Sequence, residues 1–349
     1  MTRKIRIGLV AFGYSGKFFH APFIHSNPNF DLCKVVERHN KKSKEIYPYV
    51  EVVRNFADLL NDKNIELVVI TTPSHLHFEM TKEALLANKH VVVEKPFTAT
   101  FDEAQELTKL AKNKNKILSV YHNRRWDGDF LTVKQVIKNK LLGKLVEYEA
   151  HFDRYTPHLN TKAWKERKEK GTGNLFDLGS HLIDQAQNLF GIPKTVTADI
   201  QTQRDVSKVD DYFELILEYD MLKVTLKAGM LVREKGPHFI LHGNKGSFVK
   251  YGMDPQEEAL TYGLSPLSSD WGTEHPEKWG ILNTQINNIR FKGKIETIPG
   301  SYEKFYDNIY DSIVNQSELA VKPEEARNTI RIIELAFESS SKKCTVTFK

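Results

Sequence analysis

Two short runs, Leu67-Val-Val-Ile70 and Val91-Val-Val93, are apolar on both alternations of a β-strand, and this narrows the possible folds more than any other feature of the chain. A strand without a polar face must be covered on both sides, as in a parallel sheet flanked by helices. Strands are expected at 4–11, 32–37, 67–72, 90–94 and 117–121, with helices at 15–26, 58–61, 77–87 and 101–112 between them. That βα rhythm predicts an α/β, doubly wound domain of the Rossmann type. After about residue 122 the rhythm changes. Strands are expected at 145–153, 195–203, 212–219, 222–229, 238–242 and 247–251, with turn pairs such as Tyr219-Asp220 and Gly243-Asn244 between neighbours. Tight turns between successive strands imply antiparallel pairing. With helices expected at 127–139, 177–189, 302–315 and 323–339, the second region reads as an α+β domain on a large, mainly antiparallel sheet. The boundary falls where the rhythm changes, giving domains of residues 1–121 and 122–349.

A chain of 349 residues has room for two such domains, and 27% charged residues is an ordinary globular composition. The net charge of +5 is spread along the chain, with lysine clusters at 41–44 and 112–116 beside polar loops, so no nucleic-acid surface is expected. Only Cys33 and Cys344 are present, which implies a reducing compartment. No apolar run approaches the ~18 residues that cross a bilayer, so no membrane association is expected. The opening segment up to Lys17 is short, glycine-punctuated and without a small-x-small cleavage site, and a cytoplasmic protein is expected.

Chemistry first shows where strand one runs into Ala11-Phe-Gly13-Tyr-Ser15-Gly16 and then a helix. This is a G-x-G-x-x-G pattern with Ala11 in the first place. Gly13 lets the backbone approach a pyrophosphate, Gly16 permits close helix packing, and the helix N-terminus supplies N–H donors. Because alanine is small, its presence at residue 11 is expected to change little. Glu37 ends the second strand 21 positions after Gly16. Its carboxylate suits the ribose hydroxyls of NAD and repels the 2′-phosphate of NADP, whereas the Arg38 guanidinium suits that phosphate. The choice between NAD and NADP stays open at this point.

Thr72-Pro73, followed by His77, and Glu94-Lys95-Pro96 lie at the carboxyl ends of expected parallel strands, where open α/β sheets bind ligands. Lys95 there is either a solvated loop lysine or a donor to a substrate oxygen. Further on, a glycine-rich stretch Gly171-Thr-Gly173 leads to Asp177 and His181, four apart on an expected helix and so on one face. Imidazole suits proton transfer near neutral pH, with a carboxylate beside it to orient it or the substrate. A capping Asp and an interior His would give the same spacing.

Together the glycine turn, Thr72-Pro73, Glu94-Lys95-Pro96 and the glycine-rich approach to Asp177-x-x-x-His181 resemble the Gfo/Idh/MocA oxidoreductases over essentially the whole chain. Tyr121-His-Asn123-Arg124-Arg125-Trp126-Asp127, Trp164-x-x-Arg167 and the late Ile330 to Ser340 run are similar to the branch containing NADP-dependent scyllo-inositol dehydrogenases. The resemblance implies that Lys95 binds the reacting oxygen, Asp177 holds a substrate hydroxyl and His181 is the acid/base. It also implies that Gly13, Ser15, Gly16, Glu37, Arg38, Thr72, Pro73, His77, Glu94, Lys95, Asn123, Trp164 and Arg167 approach NAD or NADP. The substrate would be a small polyol or sugar, oxidised at a ring carbon.

Two other classes fit parts of the pattern. His75, His77, Lys95, His122 and Asp177 are ligand types of a metal-dependent hydrolase, though no metal is expected and the glycine turn would then lack a purpose. A non-catalytic dinucleotide or metabolite sensor would need no acid/base pair. The alternation of Tyr212, Glu214, Ile216 and Glu218 leaves a mixed outer face on the second sheet, and a homodimer or homotetramer is expected to cover it.

Overall fold

The computed structural model describes residues 3–159 and 164–349. They form two compact units: residues through Asn123 with Gln256–Trp271 and Ser301–Arg327, and the described residues of Arg124–Pro255 with Gly272–Gly300 and Asn328–Lys349. In the first unit, strands β1 (Ile5–Val10), β2 (Phe30–Val36), β3 (Glu51–Val53), β4 (Leu67–Ile70), β5 (His90–Val93) and β6 (Leu118–Val120) make a parallel sheet in the order β3-β2-β1-β4-β5-β6. Every residue of β4 is fully buried, as are Val91, Val92 and Val93, so the all-apolar runs are covered on both faces. The strand order reverses between β1 and β4, which opens a ligand crevice at their carboxyl ends. The edge strand β3 escapes the sequence pattern because its three residues are too few to show a period.

Sequence alone assigns the 302–315 helix to the second region, but the fold places it in the first unit. The helix Glu303–Val314 and the residue before it carry Tyr302, Phe305, Tyr306 and Tyr310 along one stripe. Phe305 meets Tyr121 edge-on at 4.8 Å, Tyr306 and Tyr310 meet Phe30 at 5.7 and 5.9 Å, and Tyr302 meets Phe23 at 6.2 Å. Aromatic edge-to-face contact draws a distant segment onto the first core.

In the second unit, β7 (Leu145–His151), β8 (Thr195–Gln201), β9 (Tyr212–Glu218), β10 (Lys223–Gly229), β11 (Phe239–Gly243), β12 (Gly246–Lys250), β13 (Gly280–Ile286), β14 (Ile289–Ile295) and β15 (Val346–Thr347) form one sheet. Its order is β14-β13-β12-β11-β7-β10-β9-β8-β15, and every described pair except β7 with β10 is antiparallel. Phe213, Leu215 and Leu217 of β9 are fully buried, while Tyr212, Glu214 and Ile216 between them face outward. The β13–β14 hairpin is missing from the expected strands. Its turn, Asn287-Asn288, has φ of 48° and 66°, the left-handed pair of a type I′ turn. Among the described residues no helix is long and apolar enough to cross a membrane.

Candidate active site

Strand β1 ends in a turn where Ala11 takes φ +78°. The Ala11 carbonyl accepts the Thr71 hydroxyl at 3.0 Å, and a Cβ on Gly16 would stand 2.5 Å from that oxygen. Only glycine fits residue 16. A Cβ on Gly13 would meet nothing within 4 Å, so the backbone there borders open space. Lys17 N–H donates to Gly13 O at 2.9 Å, starting the helical run that continues through a π-helical turn, Gly16–His20, into Ala21–Ser26. An open glycine, a close-packed glycine and the N–H groups of a helix's first turn fit the pyrophosphate of a dinucleotide.

Several side chains expected to face that ligand also hold the frame. The Ser15 hydroxyl donates to Glu94 Oε1, and His20 Nε2 lies 3.0 Å from the same oxygen. Lys95 N–H donates to Glu94 Oε2 at 3.0 Å. Burial pushes the Glu94 carboxyl up, but His20, Ser15 and the Lys95 ammonium together bring it down to about 2. Glu94 thus ties the glycine-turn helix to the end of β5 and fixes where Lys95 departs. Lys95, partly exposed, precedes a cis peptide bond to Pro96. His77 is buried, with Nδ1 2.7 Å from Pro96 O and Nε2 2.9 Å from Thr72 O. It joins the Thr72-Pro73 turn to the Lys95-Pro96 turn.

Glu37 also departs from expectation. It is 7% exposed, and its carboxylate accepts Lys42 N–H at 3.0 Å, Ser43 N–H at 3.1 Å and the Ser43 hydroxyl at 2.7 Å. Arg54 donates to the carbonyls of Glu37 and Asn40, both at 2.7 Å. These bonds close the loop on itself, withdraw the carboxylate and leave Arg38 exposed. Asn123 is buried at the end of the first unit.

In the second unit, Asp177 lies in a π-helical turn, Leu175–Gly179, that leads directly into the helix Ser180–Phe190 carrying His181. Such turns recur at functional sites. Leu175 N–H donates to Asp210 Oδ2 at 2.7 Å, and burial raises the Asp210 carboxyl to about 6. Gly173, at φ +102°, has no room for a Cβ, which would lie 2.0 Å from Asp210 Oδ1. Behind the turn, Arg125 grips Asp184 with two bonds of 2.8 and 2.6 Å, both side chains buried. Gln185 donates to Arg124 O at 2.9 Å. His181 is buried, its ring stacked at 27° on Phe152. Lys165 Nζ lies 2.6 Å from Asp177 Oδ1. Trp164 opens the short 3-10 turn that holds Lys165, and the exposed Arg167 follows it.

Sequence alone does not find Lys165, Asp210 or the Arg125–Asp184 grip. Gly173 is the one local signal, since a glycine of left-handed φ before the helix marks a partner crowding it. The hydrolase ligand set loses His77, both of whose nitrogens meet carbonyl oxygens. Among the described residues no group of three or more His, Cys, Asp or Glu is arranged to hold a metal ion.

A glycine turn at the switch point of a parallel sheet, together with a second unit bearing a carboxylate and an imidazole on one helix, defines a dinucleotide-dependent oxidoreductase. Residues 5–122 match the Gfo/Idh/MocA oxidoreductase family's NAD-binding Rossmann fold, and residues 134–348 match its C-terminal alpha/beta domain. The chain belongs to the Gfo/Idh/MocA family and is an NAD(P)-dependent oxidoreductase. It is 42% identical over 342 residues to scyllo-inositol 2-dehydrogenase (NADP(+)) IolW of Bacillus subtilis, covering 98% of this chain and 95% of that one. The yvaA oxidoreductase structure from Bacillus subtilis shares 41% identity with a TM-score of 0.97, covering 100% of this chain and 99% of that one. Levoglucosan dehydrogenase, solved with NADH and levoglucosan, shares the fold at 19% identity and a TM-score of 0.82, over 99% of each chain.

Proposed function

We propose that this oxidoreductase interconverts a secondary alcohol and a ketone on the ring of a polyol or cyclic sugar of the scyllo-inositol type, with NADP preferred over NAD. The observation that carries the reading is the helix Leu175–Phe190, which sets Asp177 and the buried His181 on one anchored segment. The name of IolW and its 42% identity support the substrate class. Gly13, Gly16, Thr72, Pro73, Asn123, Trp164 and Arg167 would hold or border the dinucleotide. When bound, its nicotinamide accepts or returns the hydride. Lys95 donates to the substrate oxygen and steadies negative charge on it, His181 takes the hydroxyl proton during oxidation, and Asp177 accepts from a second hydroxyl.

The cofactor preference rests on the loop after β2. With the Glu37 carboxylate engaged by the N–H groups of Lys42 and Ser43 and the Ser43 hydroxyl, its acceptor oxygens are taken from the ribose hydroxyls of NAD, and the exposed Arg38 guanidinium is suited to pair with a 2′-phosphate. The outer face of the second sheet, where Lys227 lies 3.6 Å from Glu214, is the surface through which copies of the chain would associate, a point light scattering tests.

The decisive experiment is a matrix of inositols, hexoses and their keto forms, each followed at the nicotinamide absorbance with both cofactors. A scyllo-inositol or inosose signal that is stronger with NADP is expected. Lys95→Ala and His181→Ala should each lower kcat by about 10²–10⁴, with cofactor affinity little changed. Near wild-type kcat in either variant overturns that residue's role.

A further inference from the structure

We infer that Lys165 is a specificity-determining residue that reads, together with Asp177, the hydroxyl group adjacent to the reacting carbon. The inference rests on the reading that Asp177 accepts a substrate hydroxyl. Lys165 Nζ stands 2.6 Å from Asp177 Oδ1, with 46% of the lysine side chain and 18% of the aspartate side chain exposed. An ion pair this open to water contributes little to folding, so stability is a poor reason for it.

The placement is built rather than a chance excursion of a long side chain. Glu166, the next residue, meets Arg204 Nη1 at 3.4 Å. Arg204 is itself buried and bonded through Nε to Asp211 Oδ2 at 2.9 Å. Further along the same stretch, the Thr172 hydroxyl lies 2.8 Å from Arg167 O and 2.7 Å from Glu169 O, which fastens the segment after Lys165 to the glycine-rich approach to Asp177. The segment that follows the lysine is therefore held at two points, and the lysine head reaches the carboxylate that the substrate would use.

An ammonium beside a carboxylate forms a receptor with a donor half and an acceptor half. Two neighbouring hydroxyls on a ring satisfy both at once, one donating to Asp177 and the other accepting from Lys165. A substrate with a single hydroxyl at that edge satisfies one half and leaves the other charge to water. The geometry thus favours a vicinal diol next to the alcohol that is oxidised.

The test compares wild type with Lys165→Met on a cyclic polyol that the enzyme turns over and on the deoxy analogue lacking the hydroxyl beside the reacting carbon. For the polyol, K165M should raise KM about tenfold or more, with kcat changed by less than about threefold. For the deoxy analogue the same variant should change kcat/KM by less than about threefold, because wild type has already lost that contact. Lys165→Arg should restore part of the polyol KM, and NADPH affinity should be unchanged throughout. Equal losses on both substrates would mark Lys165 as a structural tie, and no loss on either would remove it from the site; each overturns the inference while leaving the oxidoreductase reading intact. If Asp177→Asn keeps wild-type KM for the polyol, the reading of Asp177 fails and takes this inference with it.

Discussion

Both helices that carry candidate chemistry open on a five-residue π-helical turn, Gly16–His20 in the first unit and Leu175–Gly179 in the second. The polar side chains of the two turns are used differently. Around the first, Ser15 and His20 point to Glu94, so the motif residues brace one another and the dinucleotide is left mainly to backbone and glycine. Around the second, the bracing comes from elsewhere: Asp210 holds the start of the turn, Arg125 holds Asp184 one turn beyond His181, and Asp177 faces partly exposed toward Lys165. A motif residue at the first turn is therefore part of the frame. At the second, under the proposed function, it is left for the chemistry.

The sharpest way to break that contrast is to remove a brace from the second turn. Arg125→Ala takes the guanidinium away from the buried Asp184 carboxylate, and the expected cost is about 3–5 kcal/mol in urea unfolding. The double variant Arg125→Met with Asp184→Leu should recover most of that loss, because it removes both charges together. A wild-type unfolding midpoint for R125A would show that the helix is held by other contacts.

The brace of the first turn has a pH signature. Glu94 titrates at about 2 in the fold against an ordinary value of 4.5. A carboxyl with a lowered folded value stabilises the protein above its unfolded value and loses that contribution as pH falls toward the folded one, here between about 4.5 and 2. The amount at stake is about 3 kcal/mol by linkage. Glu94→Gln should be less stable at pH 6 and show a shallower loss of stability over that acid range. Parallel curves for the two proteins would mean that the Glu94 carboxyl is not lowered in the fold.

Arg38→Ala examines whether any side chain at the first site acts on ligand rather than frame. Loss of a charge-assisted bond to a 2′-phosphate is worth about 1.5–3 kcal/mol, so Kd for NADPH should rise about 10- to 100-fold while Kd for NADH moves little. Equal weakening of both cofactors, measured by fluorescence titration, would place Arg38 with the frame. Glu37→Gln should lower stability through its bonds to Lys42 and Ser43 without improving NADPH binding.

The parallel sheet was legible in the sequence because strands buried on both faces have no polar alternation to confuse with a helix, as Leu67–Ile70 shows. The antiparallel sheet was legible where alternation was strong, as in Tyr212–Glu218, and was missed in Ile289–Ile295, where four successive residues are exposed and neither face reads as apolar. Lys95, Asp177 and His181 could be singled out because spacing and position at strand and helix ends are local properties. What each polar residue bonds to is not local. Glu37 and His77 have the side chains of ligand-binding residues, and only the fold shows that Ser43 and Pro96 already occupy them. The helix Glu303–Val314 was placed in the wrong region for the same reason, since chain order carries no record of which core its aromatic stripe meets.

The smallest effect concerns residue 11. By size, alanine in place of the usual first glycine costs nothing, but size is not what the position demands. At φ +78° a Cβ is placed against its own backbone, at a cost of about 1 kcal/mol or somewhat more. The conformation persists because it aims the Ala11 carbonyl at the Thr71 hydroxyl and against Gly16, the contact that lets the helix pack close to β1. Ala11→Gly relieves the strain but returns some freedom to the unfolded chain, so the net gain should be about 0.5–1 kcal/mol, a rise in Tm of about 1–4 °C by calorimetry. The same change at Gly16 in the opposite sense, Gly16→Ala, should destabilise, because its Cβ would push on a backbone oxygen that cannot move without breaking the Thr71 bond. If A11G leaves Tm unchanged or lowers it, the turn carries no strain at residue 11, and the glycine pattern is set by the approach of ligand rather than by the backbone.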